Sequence, residues 1–126
     1  VQKDIKNLQY TSTHEWIALE DNSHVTLGIT QHAQESLGDV VYVELPETDT
    51  SVEKEEQICV VESSKAAAEV YSPISGTIIA VNTELEDNPE YINESPYDKG
   101  WVVKIKINNT DELESLLSYE QYQDIN

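Results

Sequence analysis

The sequence predicts a mainly β fold, a small sandwich or flattened barrel with short helices at its edges. Three observations carry this. Apolar, β-branched runs recur at 40–45, 58–61, 76–82 and 100–107. Gly, Pro, Asn, Asp and Ser cluster between the runs, as turns require. Helical spacing of apolar residues is confined to short segments near 31–37 and 111–117.

The elements follow in order. Residues 1–9 have no clear period and read as a lead-in; a strand begins within 10–12. Residues 14–19 and 24–29 are β-like, and Glu20-Asp21-Asn22-Ser23 joins them as a hairpin. Thr30 is placed to cap a helix over 31–37, with Ala33 and Leu37 facing inward. Gly38 suits the position just past its end. A strand over 40–45 stops at Pro46, and the acidic stretch 47–57 reads as loop or edge. Residues 58–61 and 69–71 form the arms of a second hairpin, closed by the turn 72–76. A strand at 76–82 leads into 83–96, whose Asn-Pro and Ser-Pro steps predict loop, with one helical turn near Leu85. In the strand 100–107, Lys104 and Lys106 share one face; Val103, Ile105 and Ile107 share the other. A C-terminal helix over about 111–123 opens on Asp111 and Glu114, which resemble a capping box. Leu113, Leu116 and Leu117 form its apolar stripe, and Ser118 with Gln121 is placed to cap a last turn.

At 126 residues the chain has the length of one domain and needs no disulfide staple. Its single cysteine, Cys59, excludes an internal disulfide and falls in an apolar strand, where it reads as a small buried hydrophobe. The net charge is −18, from 25 acids against 7 bases. Phosphate backbones and anionic membrane surfaces are repelled by such a chain, so no nucleic-acid and no membrane partner is expected. No run approaches the length of a transmembrane helix, and no secretory signal shows at 1–8. The chain has no Met; loss of an initiator and loss of a transit peptide would leave the same trace. His14, His24 and His32 lack the spacing of a zinc site, so no metal is expected. Trp16 and Trp101 read as core anchors, and Asn93, Ser95, Pro96 and Tyr97 as braces of a loop.

The functional candidate is Lys65, at the tip of the second hairpin. Ser63, Ser64, Ala66, Ala67 and Ala68 surround it with small side chains, and no other cation lies between Lys54 and Lys99. A lysine at a hairpin tip is ordinarily just solvated. Small neighbours leave its amine open to another protein's active site, which suits covalent modification.

The stretch VVESSKAAAEVYSPISG at 60–76 resembles the lipoyl-attachment segment of the glycine cleavage system H protein family. THEW at 13–16, GITQHAQESLGDVVYVELPE at 28–47 and NESPYDKGWVVKIK at 93–106 are similar to further family segments, in family order. The resemblance implies a barrel-sandwich hybrid: two packed antiparallel sheets, lipoyl-domain-like, with peripheral helices. It implies one carrier domain over 1–126 with a lipoyl-type core at about 24–106. It implies lipoate in amide linkage on Lys65, with Glu62 and Ser64 read by the lipoate-attaching enzyme. Thr13, Glu15, His32, Leu37 and Glu69 match family positions lining a cleft for the aminomethyl-loaded arm.

The implied partners are the glycine decarboxylase, the aminomethyltransferase and dihydrolipoamide dehydrogenase. The protein itself would be a carrier and no enzyme, a monomer in a bacterial cytoplasm or, in a eukaryote, the mitochondrial matrix. Biotin carriers resemble the hairpin but flank their lysine with Met, where this chain has Ser64 and Ala66. Relatives commonly have glycine near Glu55 and Cys59; Glu55 suggests another geometry for its turn. Alternatives are an H-like lipoyl donor for lipoate relay or protein modification, an enzyme using Cys59 as nucleophile, and an acidic interaction module with Lys65 unmodified.

Overall fold

The structure is a computed structural model that describes residues 4–125. Residues 1–3 of the expected lead-in lie outside the described residues; Ile5–Asn7 form a 3-10 turn capped by the Asp4 side chain. The strands are β1 (Gln9–Tyr10), β2 (Glu15–Leu19), β3 (His24–Ile29), β4 (Val40–Glu44), β5 (Ser51–Val52), β6 (Gln57–Ser63), β7 (Ala67–Tyr71), β8 (Gly76–Val81) and β9 (Val103–Ile107). They build two antiparallel sheets, one of six strands in the order β1-β2-β3-β9-β8-β5 and one of three in the order β4-β6-β7. The mainly β, two-sheet architecture expected from the sequence is the one present.

The alternation read in the sequence decides which faces meet. Val25, Leu27, Ile78, Val103 and Ile105 of the larger sheet pack with Val43, Val61 and Val70 of the smaller. Burying each such side chain stabilises the fold by about 1.5–3 kcal/mol. Between β7 and β8 the chain crosses from one sheet to the other, and Ile74 in that crossing is wholly buried. A second cluster, Leu8, Tyr10, Trp16, Ala18 and Tyr122, covers the outer side of β2. It forms because Gly28, paired with Trp16 in register, has no side chain: a Cβ there would lie 2.7 Å from the indole Nε1. That Nε1 donates to the Pro96 carbonyl at 2.9 Å, so Trp16 is both the anchor expected and a tie to the 93–97 loop. Trp101 is half-buried, with the Lys104 ammonium 5.4 Å from its ring centre.

Helix α1 (Gln31–Leu37) has the predicted bounds. The Thr30 hydroxyl accepts from the Ala33 N–H, and Gly38 takes φ 82° just past the end. Leu37 is buried, and so is Gln34, which the apolar spacing did not indicate. The expected turn near Leu85 is α2 (Glu84–Asp87).

Three expectations need correction. Residues 91–94, read as loop, form a helical turn, α3 (Tyr91–Glu94), around the buried Ile92. Glu55 keeps the left-handed geometry that glycine favours, φ 72°, rather than another turn. The C-terminal helix over 111–123 is two elements. Thr110–Ser115 is a 3-10 helix whose cap is Asn109, and α4 (Tyr119–Asp124) follows. Leu117 exchanges two backbone hydrogen bonds with Tyr10, each 2.8 Å, so the chain is extended there and a continuous helix cannot pass through. The capping box belongs to Ser118 and Gln121, not to Asp111 and Glu114.

Candidate functional site

The hairpin β6–β7 places Lys65 as its sequence suggests. Glu62 pairs with Ala67 as the last rung, leaving Ser63 to Ala66 as the turn. The Ser63 N–H donates to the Ala66 carbonyl at 2.7 Å, and the Ser63 hydroxyl oxygen accepts from the Ala66 N–H at 3.1 Å. Small polar residues therefore close the turn on itself and hold its backbone. Ser64, Lys65, Ala66 and Ala67 are exposed, while Glu62 is half-buried one rung below. No carboxylate among the described residues pairs with the Lys65 ammonium. A primary amine that is exposed, unpaired and ringed by small side chains fits acylation by an enzyme.

A cleft of about 570 Å³ lies where the β1–β2 turn meets β7, lined by Thr11, Thr13, Glu15, Tyr71 and Leu117 among others. His14 takes φ 71°, a region where His is tolerated better than most residues, and this bends the chain so that Thr11, Thr13 and Glu15 converge. The hydroxyls of Thr11 and Thr13 each donate to Oε1 of Glu15 at 2.5 Å, and the Tyr71 N–H donates to Oε2 at 3.3 Å. Glu15 is 1% exposed. Burial raises its pKa, and the hydrogen bonds from Thr11, Thr13 and Tyr71 pull the other way. The Tyr71 hydroxyl in turn donates to Glu69, whose carboxylate raises the phenol's pKa. Glu69 stands four residues from Lys65, at most about 13 Å along a strand.

The residues matched to one cleft are thus only partly together. Thr13 and Glu15 line it, and Glu69 joins it through Tyr71. His32 lines a different hollow, with Tyr97 and Tyr122, and its ring lies 4.5 Å from that of His14. His14 bonds Tyr122 through Nδ1 at 2.7 Å, and burial, then the neighbouring His32, lowers its pKa. Leu37 is a core residue. Cys59 is buried on β6, and burial with the nearby Glu44 pushes its thiol up to about 12, which removes the nucleophile reading.

The description "Glycine cleavage H-protein" belongs to a family model that matches residues 8–126. The chain belongs to the glycine cleavage H-protein family. It is 54% identical to the glycine cleavage system H protein of Psychrobacter sp. (strain PRwf-1), over 92% of each chain. It is 48% identical to that of Staphylococcus carnosus (strain TM300), over 95% of this chain and 94% of the relative. The crystal structure of an H protein from Mycobacterium marinum has the same fold, with a TM-score of 0.86 at 35% identity over 94% of this chain and 95% of that one. The expected family and fold stand.

Two cleft residues of this H protein escaped the sequence reading. Thr11 reaches Glu15 because residues 12–14 turn back between β1 and β2, with His14 at φ 71°, and no strand or helix period reports that convergence. Tyr71 contributes a backbone N–H as well as its hydroxyl, and no side-chain pattern reports a backbone donor.

Proposed function

We propose that Lys65 carries lipoate in amide linkage and that the β6–β7 turn presents this arm to successive enzymes. As a glycine cleavage H protein the chain is a lipoyl carrier with no catalysis of its own. It works between the glycine decarboxylase, the aminomethyltransferase and dihydrolipoamide dehydrogenase. Bound lipoate supplies a dithiolane, a two-electron disulfide that can be opened, loaded and reoxidised. The chain supplies the rest: a fixed point of attachment, recognition and shelter.

Glu62, one rung below the turn, and Ser64, beside the acceptor, are the residues an attaching enzyme reads. Thr13 and Glu15 provide the shelter, with Glu69 linked through Tyr71. A buried carboxylate held by hydroxyl donors gains from a cationic partner, so Glu15 is the group that receives an ammonium. His32, in the neighbouring hollow, and Leu37, in the core, take no part in that shelter. The chain acts as one carrier domain, as a monomer, and its bacterial relatives support a bacterial cytoplasmic setting.

The observation that carries this reading is the exposed Lys65 amine, with no carboxylate partner among the described residues, at the tip of a hydrogen-bonded turn. Reconstitution tests it. The lipoylated chain with glycine decarboxylase should exchange the glycine carboxyl group with bicarbonate, and Lys65→Arg taken through the same lipoylation should not. A loaded chain that supports no exchange refutes the proposal.

A further inference from the structure

The Lys65 side chain lies along a shelf, and the shelf is held from outside the hairpin. A Cβ placed on Gly38 would sit 3.4 Å from Lys65 Cε and 3.9 Å from Nζ, so the lysine stem passes directly over this residue. Gly38 has φ 82° and ψ −155°, a conformation essentially restricted to glycine. The next carbonyl, that of Asp39, accepts from the Ser64 N–H at 3.3 Å, which ties the hairpin turn to the same segment.

One side chain on α3 holds both ends of the segment 38–40. Asn93 donates through Nδ2 to the Gly38 carbonyl at 2.8 Å and to Gln34 Oε1 at 2.8 Å. Its Oδ1 accepts from the Val40 N–H at 2.8 Å. Both donors and the acceptor of the amide are used, and each bond spans more than fifty residues of sequence. Only an amide fits: a carboxylate at this position would present oxygen to the Gly38 and Gln34 oxygens.

We propose that Asn93 is a positioning residue for the loading of Lys65. It holds Gly38–Val40 as the rigid shelf that aims the lysine amine and orients the turn for the attaching enzyme. This rests on Lys65 being the acceptor. In the step served, the neutral Lys65 nitrogen adds its lone pair to the carbonyl carbon of a lipoyl-adenylate. The C–N bond forms, the bond from that carbon to the nucleotide phosphate oxygen breaks, AMP leaves with the electron pair, and the amine proton goes to solvent. Asn93 touches none of these atoms. Freed from it, the turn samples other orientations, and apparent affinity falls by the fraction that remains competent.

The test is steady-state loading of the full chain by a lipoate ligase with lipoate and ATP, followed by intact mass. Asn93→Asp should raise KM for the protein substrate five- to tenfold and leave kcat within twofold. Glu86→Gln, on α2, should change neither. Hydrogen exchange should show the Ser64 amide opening faster in Asn93→Asp while the Leu27 and Ile105 amides keep wild-type protection. If Asn93→Asp does not fold, Gln34→Met removes one of the three partners and should raise KM two- to threefold. Wild-type KM in folded Asn93→Asp, or a Ser64 amide with wild-type protection, overturns the positioning role. Loading of Lys65→Arg would instead overturn the acceptor assignment on which the proposal rests.

Discussion

The Tyr71 backbone N–H reaches across the cleft to Oε2 of Glu15 at 3.3 Å, joining a strand of the lysine-bearing sheet to a strand of the six-stranded one. The carboxylate of the proposed cation site is thus also a clamp between layers, and its protonation bears on stability. Burial raises the Glu15 pKa above its ordinary 4.5. The native chain therefore keeps this proton to higher pH than the unfolded chain does. The contribution is fully present below pH 4.5 and is lost as pH rises through the raised native value. Urea unfolding of wild type and Glu15→Gln across that range should show wild type losing stability relative to the variant as pH rises. A difference that stays constant, or grows the other way, contradicts this account of the site.

At Glu55 the structure keeps a left-handed turn with a side chain that disfavours it, φ 72°. The strain is about 1–2 kcal/mol, partly offset by the greater entropy glycine loses on folding. Glu55→Gly should therefore stabilise the chain by about 0.5–1 kcal/mol, a rise in Tm of roughly 2–5 °C. Calorimetry checks it, and an unchanged or lower Tm counts against the turn as described.

Tyr122 pins the C-terminal helix. Its hydroxyl lies 2.7 Å from His14 Nδ1 and 2.7 Å from the Thr30 hydroxyl, and the residue is 2% exposed. Tyr122→Phe leaves both partners short of a bond and should cost about 1–3 kcal/mol by urea unfolding. A loss well under 0.5 kcal/mol would show the network to be dispensable.

The Cys59 thiol should be inert while the chain is folded. With its pKa pushed to about 12, labelling by an alkylating reagent at pH 8 should be at least about a hundredfold slower than in denaturant. Fast labelling of folded protein would revive a reactive thiol.

How much of this was readable in the residues varied with the kind of signal. The Lys65 hairpin and α1 were legible because local chemistry fixes them: β-branched arms around a small polar turn, and a Thr cap with a glycine past the end. The α3 turn was not, since Tyr91–Glu94 is too short to show a period and is held by the burial of Ile92. The split of the C-terminal helix came from Tyr10, more than a hundred residues away, pairing with Leu117. At the site, Glu15 and Thr13 followed from a resemblance, but their separation from His32 did not. The hollow that holds His32 is made by Tyr97 and Tyr122, which only the fold brings to α1. Asn93 read as a loop brace; that the loop it braces lies under the lysine stem could be seen only in three dimensions.

The central claim is that one amine on this chain is the point of attachment. Intact mass after incubation with lipoate ligase, lipoate and ATP measures it directly. The account predicts a single lipoyl addition on wild type and none on Lys65→Arg. A Lys65→Arg chain that gains the same mass, or a folded wild type that gains none, would contradict it.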